Sequence, residues 1–351
     1  MNEYFDKRID LIFYSEKGKT LGYLNTPDVG EKPDITIRGT MISEDSSISV
    51  DVTVTNLERD FPIDAVAWIK ATCYYGRTMA EGSAKSFLMY ILYADQSKGP
   101  PNRQVVFKCV FASSEPNLFN KTVTFNYAKE GKAVDRPLDA VLKDFIAQCR
   151  EIQASMDYIK YGGDIRTFVQ ITEEPKYIGD QTLKNATVRM SYWSGTVYEF
   201  LSFIQAQFYD KEPASEGSDL MHKFLRMHVY FEDNTLVVQK NPSYTESFVD
   251  YGNAKIRLKH VLSMYRRGPI VHLKTLFDPR ISQTTSITIS SYNMGGAKSL
   301  GKLVPLEKTE LVRFTPIGGI QFEFGTVNGN SMEMQGVYEI VAEEKMMRLR
   351  R

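Results

Sequence analysis

Apolar and polar residues alternate along several short segments of the chain. The alternation is clearest over residues 48–57, whose apolar positions are Ile48, Val50, Val52 and Val54 and whose polar positions are Ser49, Asp51, Thr53 and Thr55. Successive side chains of a strand point to opposite faces, so this segment predicts a strand with one apolar face and one solvated face. Such strands are typical of antiparallel sheets and barrels, and not of doubly wound parallel sheets.

Five further segments in the first third of the chain also predict strands. They are residues 8–14, 34–39, 68–76, 87–94 and 104–112, and the breaker-rich residues 97–102 separate the last two. About six strands with turn residues between them are enough for a small antiparallel barrel. We expect this first barrel domain to span residues 1–115.

The middle of the chain has the period of helices instead. Apolar residues recur at helical spacing over residues 136–160, namely Leu138, Val141, Leu142, Phe145, Cys149 and Ile152, and Pro137 suits a helix start. Thr196 and Glu199 form a capping box for a second helix. An alternating pair of segments, 225–231 and 235–238, then predicts a hairpin with an acidic turn. Residues 116–264 are therefore expected to form an α+β middle domain.

The last part of the chain alternates again. An apolar segment at 270–273 is followed by the turn former Asp278-Pro279 and by residues 286–290, in which Ile287 and Ile289 share one face. Alternation at 320–324, the turn-forming pair Asn328-Gly329 and a closing segment at 336–341 complete the pattern. We expect a second antiparallel barrel over residues 265–351, which gives an α+β, mainly β chain in the order barrel, α+β middle, barrel.

The order of these elements resembles that of the baseplate hub proteins of phage tails and related contractile injection systems. The resemblance is carried by the Asn56-Leu57 step, the Gly195-Thr196 helix start, the Thr235-Leu236-Val237-Val238 strand, the Leu276-Phe277-Asp278-Pro279 turn, the short strand at Ile287-Thr288-Ile289 and the Gly336-to-Val341 strand. It extends over most of the chain by pattern and order, and not by one strict motif.

The resemblance implies a structural virion protein of the tail or baseplate, assembled in the host cytoplasm. In that family, two tube-like barrels per subunit give three subunits a pseudo-sixfold ring. The ring joins the hexameric tail tube to the trimeric central spike and lets DNA or effectors pass. The implied partners are two further copies of the chain, the tube and spike proteins, other baseplate proteins, and DNA that passes without sequence-specific binding. Residues 75–85 and 292–315 are candidate contacts to neighbouring baseplate proteins.

Composition narrows the possible functions. The chain has 351 residues, with 43 Lys plus Arg against 43 Asp plus Glu, and this balance excludes strong nonspecific binding of nucleic acid. Residues 1–14 lack the apolar core of a signal peptide, and no run of about 18 apolar residues occurs, which predicts neither Sec export nor membrane insertion. Cys73, Cys109 and Cys149 form no CxxC pair and are expected to be reduced structural thiols.

Motifs for catalysis or ligand binding are not evident. The four histidines, His222, His228, His260 and His272, lack the spacing of a zinc helix. Residues 295–299 resemble a phosphate loop, but Ala297 stands where the motif needs glycine. Glu173-Glu174 and Glu343-Glu344 are sequence neighbours whose side chains diverge, so they predict solvated faces and not an acid/base pair. We therefore expect no enzyme activity and no catalytic, cofactor-binding or metal-binding residues.

Two other functions remain open at this point. One is a hexameric distal-tail or tube protein, which shares the barrel pattern. The other is a carbohydrate-binding or hydrolytic β-rich protein, whose platform would be an aromatic-rich sheet. The 12% of aromatic residues suits every one of these functions, so the state of assembly is the property that separates them.

Overall fold

The computed structural model describes most of the first two thirds of the chain and the strands of the last third. The described residues are 6–25, 34–41, 49–58, 60–76, 84–96, 103–178, 181–210, 224–225, 227–240, 252–257, 261–267, 270–276, 278, 281, 285–290, 313–316, 320–325 and 332–341. Among the helices in these ranges, none combines the length and the apolar character that crossing a bilayer requires.

Most described residues lie in strands. The strands of the first part are β1 (Asp6–Tyr14), β2 (Thr20–Asn25), β3 (Asp34–Met41), β4 (Ser49–Thr55), β5 (Trp68–Gly76), β6 (Ala84–Gln96) and β7 (Gln104–Phe111). Those of the middle are β8 (Thr122–Asn126), β9 (Val134–Pro137), β10 (Lys176–Ile178), β11 (Thr187–Met190), β12 (Tyr192–Thr196), β13 (Tyr209–Asp210), β14 (Phe224–Leu225), β15 (Met227–Glu232) and β16 (Thr235–Lys240). Those of the last part are β17 (Gly252–Arg257), β18 (Val261–Arg267), β19 (Ile270–Leu276), β20 (Thr285–Ser290), β21 (Arg313–Pro316), β22 (Ile320–Gly325) and β23 (Met332–Val341).

The α-helices of the described residues all lie in the middle of the chain. They are α1 (Pro116–Phe119), α2 (Leu138–Ala154), α3 (Asp157–Lys160), α4 (Gly163–Val169) and α5 (Val197–Ala206). Short 3₁₀ helices occupy Ile63–Ala65, Ala112–Ser114 and Gln181–Asn185. The α+β, mainly β fold class that the sequence predicts is confirmed.

The chain divides into two compact units. The first, here called the β unit, comprises residues 1–15, 20–111 and 251–351, and the second, the α+β unit, comprises residues 16–19 and 112–250. The β unit therefore contains strands from both ends of the sequence. The predicted division into domains 1–115, 116–264 and 265–351, and the closure of two separate barrels, stay predictions.

One 14-stranded sheet forms the β unit. Its order is β17-β20-β21-β23-β22-β3-β4-β7-β6-β5-β1-β2, with β19 also paired to β23 and β18 to β19. All of these pairs are antiparallel except the parallel pair β17 and β20. The strands from the two ends of the chain meet where β22 pairs with β3, in a register that runs from Ile320 opposite Met41 to Gly325 opposite Thr36.

The predicted alternation of β4 is confirmed residue by residue. Val50, Val52 and Val54 are fully buried, whereas Asp51 and Thr53 on the opposite face are half-buried. The strand ends at Asn56, whose positive φ of 62° turns the chain and whose N–H donates to the carbonyl of Arg103 at 2.7 Å. Ile48 lies outside the described residues.

Packing across the β22–β3 junction depends on one glycine. Gly39 of β3 pairs with Phe322 of β22. A Cβ atom at Gly39 would lie 3.3 Å from the Phe322 ring and 3.0 Å from Cγ2 of Val50. The missing side chain leaves room for the Phe322 ring, which stacks on Phe87 with centroids 5.2 Å apart and an interplanar angle of 9°. A residue of the last part of the chain thus fills the core of the first part.

The α+β unit has its own core between α2 and α5. The two helices meet through Phe145 and Phe200, whose rings stack with centroids 4.5 Å apart, and Phe125 of β8 lies 4.6 Å from Phe200. The predicted capping box of α5 is confirmed: Thr196 Oγ1 accepts from the N–H of Glu199 at 3.1 Å, and the Glu199 carboxylate accepts from the N–H of Thr196 at 2.7 Å. The predicted hairpin is also present as β15 and β16, joined at Asp233 with a φ of 52°.

The helix predicted over residues 136–160 is shorter than expected. It begins at Leu138, because the preceding residues pair with β11 as strand β9. It ends at Ala154, where Ser155 donates from Oγ to the carbonyl of Ile152 at 2.7 Å and Met156 is extended. A serine hydroxyl that bonds a carbonyl of the last turn competes with continuation of the helix.

A carboxylate is buried where the chain enters the α+β unit. Glu115 is 2% exposed and accepts from the N–H groups of Asn117 and Leu118 at 2.7 and 3.0 Å, which caps α1. The hydroxyl of Tyr158 donates to its Oε2 at 3.1 Å. Burial raises the pKa of Glu115, although these three hydrogen bonds act in the opposite direction.

The raised pKa of Glu115 predicts a pH dependence of stability. A carboxyl group whose pKa is raised by folding stabilises the folded state below its unfolded pKa, and this contribution is lost as pH rises through the folded pKa. Between pH 4.5 and neutrality, the free energy of unfolding of the wild type should therefore fall relative to that of Glu115→Gln. Urea unfolding of both proteins across this range measures the difference, and parallel pH profiles would contradict it.

Glu115→Ala, which removes the cap of α1, should lower the free energy of unfolding by about 1–2 kcal/mol.

Candidate functional site

The polar face of the β unit is the candidate functional site. The four strands β7, β4, β3 and β22 lie side by side, and their alternate residues bury the core on one face. The opposite face, here called the polar face, carries Lys108, Asp51, Arg38 and Glu323 at neighbouring positions of successive strands. The β-pairing register places these residues directly opposite one another, one on each strand.

These four side chains form a row of alternating charge, here called the charge row. Lys108 Nζ lies 2.5 Å from Asp51 Oδ2 at one end. At the other end, Nη2 and Nε of Arg38 both donate to Oε2 of Glu323, at 2.7 and 2.8 Å. The row contains two cations and two carboxylates and therefore has no net formal charge. Each cation has a carboxylate beside it.

The charge row sets the electrostatics of the surface and contributes little to stability. The hydrogen bond from Lys108 to Asp51 raises the pKa of Lys108, because the carboxylate favours the charged ammonium. Ion pairs between exposed side chains stabilise proteins by only about 0–1 kcal/mol each. Substitutions in the row should therefore change binding properties more than folding.

A cleft of about 410 Å³ opens beside the charge row. Its lining includes Arg38, Asp51 and Glu323 together with Lys274, Gln321 and Gln335. The last three residues form a second row across the sheet, because Gln321 pairs with Gln335 and Gln335 with Lys274. The cleft thus offers charged groups of both signs and side-chain amides, which suits hydrogen bonding to a polar protein surface.

Exposed apolar side chains continue the polar face at β6. Tyr93 pairs with Lys108, and a bulge between Ile91 and Tyr93 leaves Leu92 and Tyr93 48% and 55% exposed. A bulge re-aims side chains that a regular strand would alternate. Exposed aromatic and aliphatic groups beside paired charges have the composition of a protein–protein interface.

The residues that the sequence analysis weighed for chemistry do not come together. Glu173 and Glu174 contact different cations, Arg150 at 2.9 Å and Lys143 at 3.3 Å. His228 lies on β15 of the α+β unit and His272 on β19 of the β unit. Within the described ranges, no group of three or more His, Cys, Asp or Glu residues is arranged to hold a metal ion. The segment 295–299, Glu343-Glu344, His222, His260 and Asn328-Gly329 lie outside those ranges.

The three cysteines are buried in the cores of the two units. Burial raises the pKa of Cys149 to about 12, and it also raises the pKa values of Cys73 and Cys109. Since the thiolate is the reactive form, these thiols are unreactive at neutral pH. Their placement agrees with the structural role that the sequence predicts.

The charge row itself was not predicted from the sequence. Asp51 belongs to the predicted polar face of β4, but the contacts that define the row join residues far apart in sequence. Lys108 and Asp51 are 57 positions apart, and Arg38 and Glu323 are 285 positions apart. Strand registers over such separations follow from the folded sheet. The one local signal was the placement of charged residues at polar positions of alternating segments.

Comparison with solved structures identifies similar folds at low sequence identity. A tail protein from Neisseria meningitidis MC58 is 9% identical, with a TM-score of 0.48 and coverage of 95% of this chain and 96% of that chain. The 43 kDa tail protein of prophage MuSo2 from Shewanella oneidensis is 10% identical, with a TM-score of 0.48 and coverage of 97% and 98%. The E. coli c3393 protein, a type VI secretion component described as similar to T4 tail proteins gp27 and gp5, is 9% identical, with a TM-score of 0.46 and coverage of 88% and 74%.

No protein-family model matches the chain, and no curated protein sequence matches it.

Proposed function

We propose that the chain is a structural protein of a phage tail or a related injection machine, and that three copies form its baseplate hub. The observation that carries the proposal is the single sheet of the β unit, with an apolar core on one face and a charge-balanced polar face on the other. The resemblance of strand order in the sequence supports the same function.

The arrangement of strands in the sheet supports the proposal of a pseudo-sixfold ring. Two sets of strands, β1 to β7 and β17 to β23, join edge to edge where β3 pairs with β22. If each set supplies one tube-like element, three copies supply six, which matches a hexameric tail tube on one side and a trimeric spike on the other. A closed cyclic assembly also covers strand edges that would otherwise promote aggregation.

The charge row suits a surface along which DNA passes. Affinity for the phosphate backbone comes from cations that are free to displace counterions. In the charge row, Lys108 and Arg38 already have the carboxylates of Asp51 and Glu323 beside them. We propose that the polar face lines the conduit of the ring and lets DNA or effectors move without being held.

The remaining parts of the proposal concern setting and chemistry. The protein acts as a non-enzymatic component of the virion tail or baseplate and is assembled in the host cytoplasm. Its partners are two copies of itself, the tail tube protein, the central spike protein and other baseplate proteins. Leu92 and Tyr93, exposed beside the polar face, are candidate contacts to such a protein partner.

Assembly state tests the proposal directly. Light scattering should give the mass of three copies for the purified chain alone, or of three copies plus the spike for the complex with its spike partner. Electron micrographs should show rings with six similar lobes. A mass of six copies would favour a distal-tail or tube protein instead. A monomer at high concentration that forms no rings with the spike would refute the hub.

The conduit is tested by removing the carboxylates of the charge row. Asp51→Asn with Glu323→Gln removes the carboxylates that pair with Lys108 and Arg38, and we expect affinity for a short DNA duplex to rise about tenfold, with a steeper dependence on salt. Fluorescence anisotropy of labelled DNA measures the change. The matched control is Glu173→Gln with Glu174→Gln, which makes the same charge change beside Arg150 and Lys143. Equal affinities of the two double variants would show that the charge row has no special role.

A further inference from the structure

The short sheets of the α+β unit leave several strand edges without a neighbouring strand. Within the described residues, the unit contains the pairs β8–β12, β9–β11 and β13–β14 and the three-stranded sheet β10-β16-β15. Every one of these strands except β16 therefore has a strand on one side only. The N–H and C=O groups of an open edge can pair with a strand of another molecule.

Glutamine side chains bond to the backbone of four of these strands, β8, β10, β11 and β15. Gln148 of α2 spans β8 most fully, because its Oε1 accepts from the N–H of Thr124 at 3.0 Å and its Nε2 donates to the carbonyl of Thr124 at 2.8 Å. This pair of bonds reproduces what a neighbouring strand would make. The amide of Gln148 thus takes the place of an adjacent strand at Thr124.

The other three glutamines each make one such bond. Gln205 of α5 accepts from the N–H of Val229 in β15 at 3.2 Å, and Gln207 at the end of α5 accepts from the N–H of Arg189 in β11 at 3.1 Å. Gln181 donates to the carbonyl of Tyr177 in β10 at 3.2 Å. Four edges in three sheets are met by the same side-chain type, which carries both a donor and an acceptor.

We infer that these four glutamines protect the open edges of β8, β10, β11 and β15 against pairing with strands of other chains. These contacts lie within one chain and do not depend on the formation of a hub.

The test replaces two of the glutamines by a residue of similar shape that cannot form hydrogen bonds. In the full chain, Gln148→Met with Gln205→Met should speed amide hydrogen exchange at Thr124 and Val229 about tenfold, since each N–H loses its partner. As the protein concentration is raised, light scattering should then show a larger increase in mass for the double variant than for the wild type. In the associated species, the same two amides should regain protection, which identifies the edges as the contact.

The matched control is Gln96→Met with Gln170→Met. Gln96 is exposed at the end of β6, and the side chain of Gln170 accepts from Arg166 and not from a strand edge. The inference would be overturned by unchanged exchange in the edge variant, by faster exchange without association, or by equal association of the control variant. If the edge variant fails to fold, Gln148→Asn, which is one methylene shorter and retains the amide, should show the faster exchange at Thr124 alone.

Discussion

Val52→Asp should destabilise the β unit by about 4 kcal/mol or more, because it places a carboxylate in an apolar core without a partner. Val52 is fully buried, and the register places it between Ile37 of β3 and Phe107 of β7. A loss of this size is a large part of the stability of an ordinary domain. Urea unfolding, followed by the fluorescence of Trp68 in β5 in a Trp193→Phe background, measures it.

The control is the next residue along the same strand. Thr53 lies on the opposite face, half-buried, so Thr53→Asp should change the free energy of unfolding by no more than about 0.5 kcal/mol. Ile287, which is also fully buried, should behave as Val52 does when it is replaced by aspartate. Equal losses for Val52→Asp and Thr53→Asp would mean that β4 is buried on both faces, and that no polar face is available for a conduit.

The sequence predicts those elements whose burial is one-sided. Strands β1, β3, β4, β5, β6 and β7 were expected because one face packs on the core, which imposes a period of two on the sequence. Helices α2 and α5 were expected for the corresponding reason at a period of 3.6. In these elements, the local sequence pattern and the tertiary packing favour the same secondary structure.

Other elements lack such a pattern because they are short or lie at an edge. β2 ends the sheet, and its residues alternate between exposed and half-buried without a fully buried position. β8 to β12 have three to five residues each, too few to show a period. Helices α1, α3 and α4 have four to seven residues and are likewise too short.

The joining of the two ends of the chain also has no local signal. β3 and β22 pair across 285 positions, as the Arg38–Glu323 contact shows, and the intervening residues contain residues 112–250 of the α+β unit. Alternation in each strand predicts which face is buried but not which strand lies alongside. The charge row and the cleft depend on this pairing, so the candidate site could be recognised only from the folded sheet.

Phe322→Ala should destabilise the whole β unit by about 3–5 kcal/mol, the usual range when a buried phenylalanine is truncated to alanine. Phe322 is 2% exposed and stacks on Phe87 at 5.2 Å and on Phe111 at 6.4 Å, so its removal leaves a cavity against the first part of the chain. The control is Gln321→Ala, an exposed neighbour on the same strand, which should cost no more than about 0.5 kcal/mol.

The fluorescence of Trp68 can show whether the two ends of the chain fold together. The chain has two tryptophans, Trp68 in the β unit and Trp193 in the α+β unit, so a Trp193→Phe background leaves Trp68 as the reporter of the first part. If the sheet unfolds as one, Phe322→Ala will shift the urea midpoint reported by Trp68, although the two residues lie far apart in sequence. An unshifted Trp68 transition would show that residues 1–115 and 265–351 fold as separate domains.

A Gly39→Ala change gives a second test of the same contact. The added methyl group should crowd Phe322, and Phe322→Ala should partly relieve this crowding. The double variant should therefore lose less stability than the sum of the losses of the two single variants.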